Sequence, residues 1–191
     1  MTTSRIFVAA TCWLALAAPC ARAREIIVSV PDQELALIAQ GKTLARYPVS
    51  TSKFGSGDGV GTYRTPLGEM YVSAKLGDGL PVGAVIKSRI ATGEVIAPDA
   101  PGRDPIVSRV LWLRGKEEQN RNARDRCIYI HGTAEENRIG RRASYGCVRM
   151  KSKDVIALYA RVHIGTAVKI TEKRLAELLP PEEETLLARS Y

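Results

Sequence analysis

The sequence predicts a mainly β protein, an antiparallel β-sandwich with one helix late in the chain and a short helical tail at its end. Three observations lead there. Short β-branched runs return about every eight to twelve residues, with Gly, Pro and Asp between them. CIYIHG (127–132) alternates, with Ile128 and Ile130 on one face and Cys127, Tyr129 and His131 on the other. A full-length helical stripe appears once: Val155, Leu158, Tyr159 and Val162 keep i, i+3, i+4, i+7 spacing behind Ser152, a residue type suited to the N-cap.

Taken in order, EIIVSV (25–30) is the first strand, the turn PDQ follows, and ELALIAQG makes the second, ending in a turn at Gly41-Lys42. TLARYPVSTS continues the series. KFGSGDGVGTYRTPLGEMYVSA is a glycine-rich loop entering a strand near Met70–Ser73, in neither a G-x-x-x-x-G-K nor a G-x-G-x-x-G register, so it reads as flexible or φ-positive backbone. Further strands are expected at AVIKS (84–88) and VLWLRG (110–115). Between them PDAPGRDP holds Pro98, Pro101 and Pro105, a stiff connection and a candidate wall or lid over a cleft. After the helix, HIGT turns the chain into strand AVKI. EKRLAELLPPEEETLLARSY then reads as a short helix, a proline break and a second amphipathic piece.

The first 23 residues read as an export signal. Arg5 is followed by the apolar run IFVAATCWLALAA, and ARA at 21–23 fits an A-x-A cleavage site. The run falls short of the ~20 residues a membrane-spanning helix needs, and no other run is long enough, so no stable span is expected in the mature chain. Lipid attachment at Cys20 is the competing reading, weakened by the proline before it. The expected domains are therefore a signal at 1–23, a single folded domain at 24–171 and a tail at 172–191. The periplasm or cell envelope is the expected location.

The full chain carries a formal net charge of +8; the leader removes two arginines and leaves +6. Residues 109–149 hold ten basic and five acidic side chains. Export sets nucleic acid aside as a partner. An acidic polymer outside the cytoplasm fits better, beside the plain reading of a solvated surface. Without C-x-x-C or H-x-x-x-H spacing, no metal or other cofactor is expected.

Two of four cysteines, Cys127 and Cys147, remain after the leader, as does His131, one of two histidines. A thiol nucleophile needs a neighbour to take its proton and donors to hold the oxyanion formed on attack. Cys147 follows Gly146, whose missing side chain would let a carbonyl approach backbone N–H groups, and Ser144 and Arg149 crowd the same turn. Arg149 is a candidate clamp for a substrate carboxylate. Tyr129 shares the His131 face, either lining a cleft or packed. A Cys127–Cys147 disulfide would latch the thiol shut if the turn folds back along the strand.

IHGT, then IG, then S-x-G-C-V-R-M, followed by DVIALY…GTAVKI, resembles the signature of the L,D-transpeptidases of bacterial cell walls, the YkuD-type catalytic domain. Upstream, YPVSTS and TPLGEMYV are similar to the same family, so the resemblance covers most of residues 25–171. It implies the β-sandwich of that catalytic type, with Cys147 as nucleophile and His131 as base, oriented through the carbonyl of Gly132. It also implies an oxyanion hole from the N–H groups of Gly146 and Cys147, and Arg149 meeting the substrate. Peptidoglycan stem peptides would be the substrates and carbapenem-type β-lactams the inhibitors. The family's usual S-H-G-C is here S-Y-G-C, which brings Tyr145, with Ser144, among the candidate substrate contacts. A hydrolase on the same stems and a silent peptidoglycan-binding module remain as alternatives.

Overall fold

The computed structural model describes residues 24–179; the leader, the end of the tail and the leader cysteines lie outside the described residues. The strands are β1 (Arg24–Ser29), β2 (Glu34–Ala39), β3 (Lys42–Pro48), β4 (Gly68–Leu76), β5 (Ala84–Lys87), β6 (Ile90–Val95), β7 (Ile106–Gly115), β8 (Tyr129–Thr133), β9 (Val148–Met150) and β10 (Ala167–Thr171). Two helices join them, α1 (Ser152–Arg161) and α2 (Leu175–Leu178). The hydrogen-bonded order is β3-β2-β1-β10-β4-β7-β5-β6, and β8 branches from β7 to pair with β9.

Alternation places the core. Ile26 and Val28, Leu35 and Leu37, Met70 and Val72, Leu111 and Leu113, and Val168 and Ile170 all turn toward one cluster. Val148, Met150 and the α1 stripe of Val155, Leu158, Tyr159 and Val162 close it. The opposite face of the first strands, Ile27, Ala36 and Ile38, is covered by Leu175 and Leu179, which explains the short helix in the tail. A third cluster, Ile86, Val110 and Tyr129, lies where β5, β7 and β8 meet and includes the partly buried Cys127 and Cys147.

The structure corrects several expectations. The sheet is mixed, because β1 pairs parallel to β10 and β8 parallel to β9. The β2–β3 turn centres on Gln40 and Gly41, both left-handed, one residue earlier than expected. β6 and β9 are additional strands. β6 follows a two-residue turn at Ser88 and Arg89, again both left-handed, without the Asn-Gly pair that announces such a turn. All six β6 residues are exposed. Ser152 is the first residue of α1 rather than its cap; the Glu136 carboxylate accepts its N–H at 2.8 Å and does the capping. Cys127 precedes β8 in a left-handed turn.

The glycine-rich loop is held, not loose. Asp58 and Arg126 form an ion pair at 2.9 Å whose side chains are 6% and 7% exposed. Arg126 also donates to the carbonyls of Gly57 and Arg64, and Asp58 accepts the N–H of Asn122. Removing one member of a buried pair strands the other's charge in a poorly solvated place. Asp58→Ala should therefore lower the free energy of unfolding by about 3–5 kcal/mol, read by urea denaturation.

Candidate active site

β8 ends at the site and β9 begins from it. Their parallel register sets His131 beside Arg149, and Cys147 sits at the residue before β9. Gly132 must be glycine there, since a Cβ would lie 2.5 Å from the Val107 carbonyl oxygen on β7. His131 Nδ1 is 2.8 Å from the Gly132 carbonyl oxygen. A carbonyl only accepts, so Nδ1 carries the proton and Nε2 is left as a base. Burial pulls the imidazole down to about 4; the Gly132 bond and Asp104 oppose that, while Arg149 adds to it.

The Cys147 thiol accepts the N–H of Tyr129 at 3.4 Å and lies 3.4 Å from the Cys127 carbonyl oxygen. Burial pushes it up to about 11, against the lowering effects of the Tyr129 N–H and Arg149. The resting pair is thus neutral thiol and neutral imidazole. Cys127 and Cys147 are free thiols here. Two clefts meet at Cys147. One, of about 320 Å³, is lined by Tyr63, Asn122, Asp125, Arg126 and Tyr145. The other, of about 120 Å³, is bordered by Asp104, Ile106, His131, Tyr145 and Arg149.

Several side chains act differently from the roles their sequence positions suggest. Ser144 is fully buried and braces the turn, donating to the Cys147 carbonyl at 2.6 Å and accepting the Gly146 N–H at 3.2 Å. The Tyr129 ring packs edge-on against Trp112, so it is its backbone that meets Cys147. Arg149 borders the smaller cleft, but its guanidinium is engaged by Asp104 at 2.8 Å and Glu135 at 3.3 Å. At Gly146 the backbone is left-handed, and a side chain would press on the Arg64 carbonyl oxygen at 3.3 Å. The missing Cβ makes room for the glycine-rich loop. Tyr145 is half exposed and borders both clefts.

Asp104 is the residue that the sequence left unmarked. It precedes the last proline of the proline-rich connection, takes hydrogen bonds from the Thr133 hydroxyl and the Glu135 N–H, and pairs with Arg149. Asp99, in the same connection, donates its N–H to the Ala134 carbonyl and accepts that of Asn137. The connection is thus pinned at Asp99 and Asp104, and Asp104 is its member on the smaller cleft. Its proline content was the available signal.

These charge states have measurable consequences. A thiol held near 11 ionises only as pH climbs, so iodoacetamide alkylation of Cys147 should rise about tenfold per pH unit between 7 and 10. An inflection near pH 6 would show an ion pair instead. An imidazole whose folded value is depressed to about 4 stabilises the fold fully above its unfolded value of 6.5, and that contribution fades as pH falls toward 4. The loss amounts to about 3 kcal/mol, seen as a falling melting temperature that His131→Gln should flatten.

The chain matches the model of the L,D-transpeptidase catalytic domain, YkuD, over residues 23–170. It is 30% identical over 166 residues to the Bacillus subtilis protein YqjB, whose name places it among the L,D-transpeptidases, covering 86% of this chain and 81% of that one. Bacillus subtilis YkuD is 27% identical over 146 residues, 76% of this chain and 64% of its own. The fold is shared with an L,D-transpeptidase from Mycobacterium smegmatis at a TM-score of 0.53 and 17% identity, covering 78% of this chain and 59% of that chain. L,D-transpeptidase 3 of Mycobacterium tuberculosis, solved with a faropenem-derived adduct, also superposes at 0.53, with 18% identity over 79% of this chain and 61% of its own. With its β-rich fold, His131 and Cys147 bordering one cleft, and a domain match spanning most of its length, this chain belongs to the L,D-transpeptidase catalytic-domain family.

Proposed function

We propose that the protein is an exported cysteine transpeptidase that acylates Cys147 with a peptidoglycan stem peptide and passes the acyl group to an amine of a neighbouring stem. The observation that carries this reading is that Cys147 shares a cleft with an imidazole whose Nδ1 is tied to the Gly132 carbonyl, leaving Nε2 to take a proton. The neutral pair sets the order of events. His131 Nε2 removes the thiol proton as the sulfur attacks the amide carbonyl, so charge develops only when a substrate is present.

The N–H groups of Gly146 and Cys147 would hold the oxyanion, with the long Gly146 bond to Ser144 Oγ giving way to the stronger acceptor. The protonated imidazole returns its proton to the departing amine, leaving a thioester. A second stem's amine then attacks, loses its proton to His131 and expels the Cys147 thiolate, which is reprotonated. Two clefts meeting at one sulfur suit two substrates. Carbapenem-type β-lactams would acylate the same thiol; the mycobacterial protein that shares the fold carries an adduct derived from faropenem, a β-lactam of the kindred penem class. Residues 1–23 would be the export leader, with the mature chain in the periplasm or envelope. Among the described residues no helix is long and apolar enough to cross a membrane.

Mass spectrometry of muropeptides from sacculi incubated with the protein tests the reading. New crosslinked dimers should appear, be absent with Cys147→Ala, and fall by about 10²–10⁴ with His131→Ala. Shortened stems without dimers would assign a hydrolase instead. Unchanged stems would leave a binding module.

A further inference from the structure

Charge around the two clefts is unevenly spoken for. Arg126 is buried against Asp58, and Arg149 is held between Asp104 and Glu135. Neither guanidinium is at liberty to take a substrate carboxylate without leaving a buried carboxylate behind, which is costly. Lys53 differs. Its ammonium donates to the Tyr145 hydroxyl at 2.9 Å, stands 4.3 Å from that ring's centre and 5.2 Å from the Phe54 ring. Among the described residues no carboxylate pairs with it.

The pair is also fixed in place. The Lys53 N–H donates to the Ser144 carbonyl at 3.1 Å, and Ser52 bridges to Ser144, so the side chain is rooted beside the turn that carries Cys147. Phe54, Tyr63 and Tyr145 form a trio with centroids 5.6–6.0 Å apart, and all three rings are about half exposed. Because Tyr145 accepts a hydrogen bond from Lys53, its own O–H is left to donate outward, as are two N–H groups of the ammonium. Lys53 also holds the phenol below its ordinary range, which strengthens it as a donor.

We propose that Lys53 and Tyr145 form an anion subsite at the mouth of the clefts, and that its ligand is the terminal carboxylate of the residue expelled when Cys147 is acylated. This rests on the stem-peptide reading above. When the leaving residue ends the chain, its carboxylate lies one residue past the attacked carbonyl, about 3.5 Å further along the backbone. Tyr145 stands two positions from Cys147 and borders both clefts.

The test compares a tetrapeptide stem with its C-terminal amide as acyl donors. With the wild-type protein, amidation should lower kcat/KM by about ten- to a hundredfold. Lys53→Met should be slower on the acid and lose nothing further on the amide, and Tyr145→Phe should show a smaller version of the same pattern. The acid-to-amide ratio within one preparation is independent of how much of the variant is folded. An unchanged ratio in Lys53→Met, or a wild type indifferent to amidation, overturns the subsite. Calorimetric titration of the same two peptides separates this from the broader reading. A wild type that turns over neither donor but binds the acid more tightly, a preference erased by Lys53→Met, keeps the subsite and loses the transpeptidase. Equal affinities in the wild type overturn the subsite whatever the turnover.

Discussion

Thr51 gives its carbonyl to two successive amides, Ala143 and Ser144, while Ser50 exchanges backbone hydrogen bonds with Arg149 and the Lys53 N–H reaches the Ser144 carbonyl. The Thr65 hydroxyl adds a bond to the Gly146 carbonyl. This clasp joins two segments some ninety residues apart in sequence, and the site depends on it. The turn before β9 has little regular structure of its own, so its backbone groups need partners from elsewhere. The upstream loop supplies them, and the Asp58–Arg126 pair holds that loop down in turn. Stability and site geometry are therefore one problem in this fold: loosening the glycine-rich loop removes the frame of Cys147.

Within that frame the electrostatics are restrained. The His131 imidazole is buried and the Cys147 thiol partly so, and both rest uncharged, because desolvation outweighs the hydrogen bonds that favour their charged forms. Arg149 would stabilise a thiolate and oppose an imidazolium, and Asp104 acts on His131 in the other direction. Arg149 and Asp104 thus tune the pair from one side while the Tyr129 N–H meets the sulfur from another. A resting thiol of this kind resists adventitious oxidation and alkylation, since the thiolate is the reactive form.

Much of this was legible in the residues. Most strands announced themselves by alternation and turn chemistry, α1 by its stripe, and Cys147, His131 and Gly132 by motifs in the right order. The misses have physical causes. A parallel neighbour such as β10 for β1, or β9 for β8, is chosen by packing over long sequence separations, and no local pattern encodes it. β6 was hidden because Ser88-Arg89 adopts a left-handed turn without the residues that usually favour it. Ser144 and Tyr129 sit where a substrate contact would be guessed, yet both serve the turn, one by bracing it and one through its backbone. Asp104 was invisible because its importance lies in a contact with Arg149, 45 positions away.

Among the described residues, the branch margin at β9 is met by Ser50, which bridges to Arg149, and the two ends of the main strand path are spoiled in different ways. At one end β3 closes with Pro48, carries Lys42 and Arg46, and meets β2 through a register shift at Leu37/Ile38. At the other, β6 is solvent-facing throughout, with Ile90 72% exposed, but Gly93 takes a left-handed conformation in its middle and the pairing with β5 slips between Ala84 and Ile86. An incoming strand needs a straight run of alternating donors and acceptors to add itself to a sheet, and neither end offers one. A chain this rich in strands is thereby shielded from templating copies of itself, by kinks in its backbone as much as by charge.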